Sequence, residues 1–142
     1  MFIPEKEYEK ILKSMPIFCI DFLIVHNGNY LLIERTEEPL KGVSWVIGGR
    51  MQLNETIEDF AWRVQSREIG HFVGVGKLIG FSNYFFPEVE ESRAVHTPTL
   101  LYKVEVSEKF DPIIDETSCS FKWSDKLPEE LKKQTDFIID YE

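Results

Sequence analysis

Glu68 is a carboxylate at a position where the pattern of its own helix predicts the protein core. Residues 56–69 have helical periodicity, and the apolar residues that share one face are Ile57, Phe60, Ala61 and Val64. Glu68 follows eleven residues after Ile57, on the line of this apolar stripe. A carboxylate on a buried face is unfavourable unless it is paired or binds a metal ion. Glu68 therefore indicates a metal or ligand site, unless the stripe ends one turn earlier and Glu68 is exposed near the helix C-terminus.

A glycine pair and two arginines accompany the same helix. Gly48-Gly49 lies between the short β-prone run SWVI and Arg50, shortly before the helix begins. Paired glycines let a backbone approach a ligand closely, although any tight turn can use them. Arg50 and Arg63 can bind phosphate or, alternatively, the carboxylates of the helix itself. The residues alone leave these alternatives open.

A β-hairpin is predicted where IFCIDFLIVH and YLLIERT flank Asn27-Gly28-Asn29. If His26 pairs with Tyr30 across this turn, Asp21 lies directly opposite Arg35. Asp21 interrupts a run that is otherwise apolar, so it should face something other than the core. Two compatible interpretations follow, a cross-strand ion pair and a role in ligand binding.

The elements that must position these residues predict an α+β fold. The 142 residues suit a single domain, 1–142, with a mixed sheet that helices cover. The helical segments are PEKEYEKILKSM at the start, residues 56–69, which stop at Gly70, and PEELKKQTDFIID as one or two closing helices. Further strands are predicted in GKLIGFSNYFFP, HTPTLLYKVEV and FKWS.

Composition restricts the partners that we expect. The net charge of −9 argues against a nucleic-acid-binding surface, but local arginines or a divalent cation can still hold a small anionic ligand. Cys19 and Cys119 lie among apolar residues, which favours buried free thiols. The start, MFIPEKEYEK, lacks the pattern of a signal peptide, and the longest apolar run is nine residues and contains an aspartate. We therefore expect a soluble cytoplasmic protein that does not enter membranes.

The spacing of these residues resembles the Nudix box. The residues that match it are Gly49, Glu55, Arg63, Glu68 and Gly70. Two positions depart from the pattern, because Val64 and Arg67 stand where two of the three helix glutamates belong. A subfamily, the GDP-mannose mannosyl hydrolases, has a similarly reduced box and is similar to this chain through nearly its whole length. The similarity includes Asp21-Phe22, Arg35-Thr36, Gly48-Gly49-Arg50 and Phe121-Lys122-Trp123.

This resemblance implies an α/β/α sandwich with a curved mixed sheet and a hydrolase of nucleotide sugars such as GDP-mannose. Such enzymes attack the anomeric carbon and release the nucleoside diphosphate. The resemblance implies one divalent cation, Mg²⁺ or Mn²⁺, held by the Gly48 carbonyl and Glu68. By the same resemblance Asp21, Arg35, Arg50 and Arg63 contact the substrate or leaving group. Tyr84 stands where the subfamily often has a histidine, and we assign it to substrate binding.

The C-terminal loop IIDETSCS departs further from the subfamily. Thr117 and Ser118 stand where the subfamily has the metal-binding glutamine and the general-base histidine. Neither hydroxyl is a convincing base near neutral pH. Asp115 and Glu116 can substitute, and we choose Glu116; the acidic loop supplies the alternatives Glu88, Glu90 and Glu91.

Three functions remain open from the sequence. The first is a Mg²⁺-dependent nucleotide-sugar hydrolase, the second is a Nudix pyrophosphohydrolase that cleaves a P–O bond, and the third is a non-catalytic nucleotide-binding module. Trp62 lies on the helix face opposite the stripe, which indicates that a second layer or a dimer partner covers this face. Together with the resemblance, this makes a homodimer an expectation.

Overall fold

The computed structural model describes residues 2–36, 41–86, 95–114 and 118–138. The helices are α1 (Glu5–Ser14), α2 (Ile57–Ile69) and α3 (Glu129–Gln134). The strands are β1 (Cys19–His26), β2 (Asn29–Arg35), β3 (Ser44–Trp45), β4 (Ile47–Arg50), β5 (Lys77–Phe86), β6 (Val95–Glu105), β7 (Ser118–Ser124) and β8 (Thr135–Ile138). In this part of the chain, none of the helices has the length and apolar character needed to cross a membrane.

The eight strands of the described residues belong to one sheet, which has the order β3-β2-β1-β6-β5-β8. Two strands lie off this path, since β4 pairs with β1 and β7 pairs with β2. The β1–β6 pair is parallel and the other pairs are antiparallel, so the sheet is mixed, as the sequence predicted.

The two faces of the sheet carry two separate cores. Alternate residues of β1 point to opposite faces, so Ile20, Phe22 and Ile24 pack against α2. On the other face, Leu23 and Val25 join a cluster that includes Leu131 of α3. Helices therefore cover both faces, and the predicted α+β sandwich is confirmed.

The bounds of α2 agree with the prediction because both ends have strong local signals. At the start, the Thr56 hydroxyl accepts a hydrogen bond from the Asp59 N–H at 3.1 Å. At the end, Gly70 adopts a left-handed conformation with φ of 68°. These two caps fix the ends of α2, and its apolar residues Phe60, Ala61 and Val64 determine the face that packs on the sheet.

The predicted hairpin register is wrong by one residue. The turn has two central residues, Asn27 and Gly28, both with positive φ, so His26 pairs with Asn29 rather than Tyr30. Furthermore, β1 leaves β2 beyond Val25 and continues between β4 and β6. Asp21 therefore lies across from Gly48 and Leu101, not Arg35.

Two other segments differ from the prediction. Residues 135–138 were predicted to belong to a closing helix but form strand β8 beside β5. They do so because the sheet offers an edge with which this short run can pair. The run SWVI is divided at Val46, since β3 pairs with β2 whereas β4 pairs with β1. Gly48 therefore pairs with β1, whereas Trp45 pairs with β2 and reaches β1 only through its indole, which contacts Asp21.

Candidate active site

Glu68 lies against the glycine pair, where the cation was predicted. Its Oε2 accepts a hydrogen bond from the Gly48 N–H at 3.3 Å, and its side chain is 15% exposed. The Arg67 guanidinium lies 3.6 Å from Oε1 on the solvent side. Glu68 is therefore at the inner edge of α2 and is still accessible.

Asp21 approaches Gly48 from the other face of the sheet. Its side chain is buried, and its Oδ2 accepts a hydrogen bond from the Trp45 indole N–H at 3.4 Å. A Cβ atom on Gly48 would overlap Asp21 Oδ1 and lie 2.8 Å from the Asp21 Cα. Gly48 therefore sits between two carboxylates, and the space between them admits only a glycine.

Burial raises the pKa of the Asp21 carboxyl from 3.8 to about 7. The hydrogen bond from Trp45 opposes this rise, the nearby Glu68 carboxylate adds to it, and the Arg35 cation lowers the pKa again. Asp21, Glu68 and Arg35 are therefore close enough to affect one another electrostatically.

Asp21→Asn is expected to remove a pH-dependent loss of stability. The raised pKa means that the folded chain binds this proton more tightly than the unfolded chain. The contribution of Asp21 to stability is therefore complete below about pH 4 and is lost as the pH rises towards 7. Across that window Asp21→Asn should gain about 1.4 kcal/mol per pH unit relative to the wild type. Urea unfolding of both proteins in EDTA measures this difference, and parallel pH profiles would contradict the shifted pKa.

Arg63 braces the loop between β4 and α2. Its Nε and Nη2 donate to the two oxygens of Glu55 at 2.6 and 2.9 Å, and Nη2 also donates to the Arg50 carbonyl at 3.1 Å. Glu55 in turn accepts the Gln52 N–H at 3.0 Å, and the Arg63 hydrogen bond lowers the pKa of Glu55. Arg63 was predicted to contact the substrate or leaving group. In this arrangement it holds the backbone of Arg50 through the Arg50 carbonyl.

Arg63→Lys is expected to destabilise the fold by about 2 kcal/mol, because lysine cannot reproduce the paired bonds to Glu55 and the bond to the Arg50 carbonyl. Arg67→Lys, at an exposed position of the same helix, is the matched control. Urea unfolding compares the two variants, and equal stabilities would contradict the bracing role of Arg63.

The remaining predicted residues surround the same region. Arg50 lies across from Cys19 in the β1–β4 pair, and its guanidinium carbon is 5.6 Å from the centre of the Tyr8 ring of α1. Arg35 ends β2. Tyr84 is buried with its ring edge-on to Trp45 at 5.4 Å. Burial also raises the pKa of the Cys19 thiol to about 12, which keeps this cysteine protonated at neutral pH.

The predicted base lies outside the described residues. This holds for Glu116 and its neighbour Asp115, and for the acidic-loop alternatives Glu88, Glu90 and Glu91. The described residues resume at Ser118, whose backbone pairs with Arg35 at the end of β2.

The residues around Gly48 fit a single Mg²⁺ or Mn²⁺ ion. Within the described ranges no group of three acidic, histidine or cysteine side chains could by itself hold a metal. Mg²⁺, however, often binds through one or two carboxylates and takes its other ligands from water and substrate phosphates. Glu68 and a Gly48 carbonyl match that donor set. Val64 and Arg67 stand where the Nudix box has glutamates, so neither position offers a carboxylate. Val64 is buried in the core and Arg67 points to solvent.

Sequence reasoning missed two buried polar residues near the site. Trp45 was read only as part of a strand, although it donates a hydrogen bond to Asp21. Gln65 is completely buried, where its amide accepts the Val73 N–H and donates to the Gly74 carbonyl, both at 2.8 Å. The signal for Gln65 was its place at the edge of the apolar stripe, next to Val64.

The arrangement of sheet and helices is that of known hydrolases. The structure is similar to the crystal structure of a MutT NUDIX hydrolase from Burkholderia pseudomallei, with a TM-score of 0.70 and 19% identity over 85% of this chain and 96% of that chain. This chain has the Nudix fold. A second Nudix-fold neighbour is a bifunctional NMN adenylyltransferase/ADP ribose pyrophosphatase from Francisella tularensis, solved with AMP and a manganese ion. Its TM-score is 0.60 at 18% identity, over 94% of this chain and 42% of that chain.

The sequence comparison matches a shorter part of the chain than the structural comparison does. No family model matches this Nudix-fold chain. It is 36% identical over 84 residues to the low-salt glycan biosynthesis protein Agl8 of Haloferax volcanii. The aligned segment is 59% of this chain and 54% of that relative, so the chain matches about half of the relative's length.

Proposed function

We propose that this chain hydrolyses a nucleotide sugar of the GDP-mannose or GDP-glucose kind and releases a nucleoside diphosphate and the free sugar. The observation that carries the proposal is the approach of Glu68 and Asp21 to Gly48 from opposite sides, with Glu68 accepting the Gly48 N–H at 3.3 Å. One divalent cation at Glu68 and the Gly48 carbonyl would neutralise charge on the diphosphate. A single-cation site suits this reaction, because Val64 and Arg67 leave α2 with Glu68 alone at the three glutamate positions of the box.

The chain's own residues supply the rest of the chemistry. Negative charge grows on the departing diphosphate, so cationic side chains aimed at it stabilise the transition state more than the ground state. We assign this role to Arg35 and Arg50, with Arg63 holding the backbone of Arg50. Asp21 and Tyr84 would contact the sugar, and Glu116 would deprotonate the attacking water.

A pyrophosphohydrolase is the second candidate. The Francisella neighbour, which shares the fold, is named an ADP ribose pyrophosphatase, and a pyrophosphatase attacks phosphorus. This reaction would release a nucleoside monophosphate and a sugar phosphate. It makes the same use of Glu68 and the arginines but does not need a base placed beside the sugar.

Hydrolysis in ¹⁸O-labelled water distinguishes these functions. The protein would be incubated with Mg²⁺ and a panel of nucleotide sugars and dinucleotides, and the products would be resolved by mass. Label in the sugar would support the nucleotide-sugar hydrolase, whereas label in a phosphate would support the pyrophosphohydrolase. If no member of the panel is turned over, although the folded protein is thermally stabilised by the same ligands, a binding module would replace both.

The proposed substrate also suggests the setting of the protein. Nucleotide sugars and a protonated free thiol at Cys19 suit a reducing cytoplasm. The net charge of −9 makes nucleic acid an unfavourable partner. We also propose a homodimer, for which Trp62, 60% exposed on the outer face of α2, offers an apolar contact. Sedimentation of the wild type beside Trp62→Glu tests that proposal.

A further inference from the structure

We propose that Trp45 is a positioning residue that orients the Asp21 carboxylate for the reaction, an inference that rests on the proposed function. Its indole N–H lies 3.4 Å from Asp21 Oδ2, and both side chains are buried, at 5% and 7% exposure. A buried carboxylate needs hydrogen-bond donors, and a buried indole N–H needs an acceptor. Each of these two groups therefore satisfies the other.

The same short segment also constrains the second oxygen of Asp21. Gly48 follows Trp45 by three residues, and a Cβ on Gly48 would overlap Asp21 Oδ1. The segment 45–48 thus contacts both carboxylate oxygens, with the indole on Oδ2 and the Gly48 backbone beside Oδ1. Oδ1 therefore lies against Gly48, and the N–H of the same glycine donates to Glu68.

The indole itself is held rigidly. Trp45 pairs with Ile33 in the β2–β3 ladder, and the Tyr84 ring packs against it at 5.4 Å with an interplanar angle of 71°. An aromatic ring that is fixed by the sheet on one side and by a second ring on the other can hold a hydrogen-bond partner in one rotamer. A carboxylate released from this donor could rotate about its Cβ–Cγ bond and turn Oδ1 away from Gly48.

Trp45→Phe removes the donor and keeps an aromatic ring against Tyr84. We expect kcat/KM for GDP-mannose with Mg²⁺ to fall roughly 10- to 100-fold, mainly through kcat, because a misplaced group lowers the rate more than the affinity. Trp123→Phe is the matched control. It removes an indole bond of 3.3 Å to the Phe110 carbonyl, in a different part of the molecule.

A double-mutant cycle separates positioning from simple core packing. If Trp45 acts through Asp21, Trp45→Phe should change kcat/KM by less than about twofold when Asp21 is already asparagine. If Trp45 only fills the core, its effect should be the same in both backgrounds. Additive effects in an active wild type would overturn the positioning role and leave the proposed function intact.

A second measurement, of the Trp45 indole resonance, needs no substrate and therefore applies even when a variant has no activity. In ¹⁵N spectra of the wild type and of Asp21→Asn, the Trp45 indole resonance should differ between the two proteins, whereas those of Trp62 and Trp123 should not. An unchanged Trp45 resonance would overturn the inference. If the resonance shifts but the wild type turns over no substrate, the contact between Trp45 and Asp21 is verified. The proposed function, and with it the catalytic role of Trp45, would then be overturned.

Discussion

Glu68→Gln is expected to reduce turnover by roughly 10³-fold, equivalent to about 4 kcal/mol of transition-state stabilisation, while the fold stays intact. The amide oxygen of glutamine can still accept the Gly48 N–H, so the contact between α2 and β4 remains. The negative charge that would hold a cation is lost. Removal of that charge also lowers the pKa of Asp21, since the Glu68 carboxylate contributes to its rise.

Glu58→Gln provides the control for this variant. Glu58 lies on the same helix, in its exposed first turn, so its substitution changes the net charge equally without touching the site. The measurements are kcat, the affinity for Mn²⁺ by calorimetry, and the free energy of unfolding. Loss of both turnover and Mn²⁺ affinity in Glu68→Gln alone is the expected result. Full activity in Glu68→Gln would refute the proposed cation site.

Gly48→Ala is expected to destabilise the fold by about 3 kcal/mol and to abolish activity, because there is no room for a methyl group. The added Cβ would overlap the Asp21 carboxylate and lie 2.5 Å from the Ile20 carbonyl oxygen and 2.8 Å from the Asp21 Cα. Two of these obstacles are backbone atoms of the central strand β1, which cannot move without disturbing its pairing with β6.

Gly49→Ala is the matched control for this prediction. No heavy atom lies within 4 Å of a Cβ built on Gly49, and its φ is not in the left-handed region. Urea unfolding should therefore give Gly49→Ala nearly the stability of the wild type. If the two alanine variants were equally stable, the close approach of Asp21 to Gly48 would be wrong.

The fold could be predicted largely because its signals are local. The α2 helix follows from an apolar stripe between a Thr56 cap and a Gly70 stop, and both ends agree with the structure. The mixed sheet and the two helical layers follow from the order of the elements and from the resemblance to the Nudix box. The strand at 135–138 was missed because its pairing with β5 is a long-range contact. The local sequence is compatible with a helix and carries no signal of that pairing.

The candidate site was anticipated in its residue types more than in its contacts. The periodicity of α2 predicted that Glu68 would face inwards, and the glycine pair predicted a close backbone approach. The residue roles stay predictions that the variants above would test. Asp21 was assigned to Arg35 through a register that is wrong by one residue, since a two-residue turn was taken as three.

The sequence by itself determined the helix that carries Glu68, the glycines beside it and the mixed α+β architecture, because periodicity, caps and turns act over a few residues. Only the tertiary structure decided what meets Asp21. The pairing of β1 with β4 places Gly48 across from Asp21, and the Trp45 indole reaches the same carboxylate from β3. That outcome depends on which strands pair within the sheet, and strand pairing is fixed by the whole core rather than by any one segment.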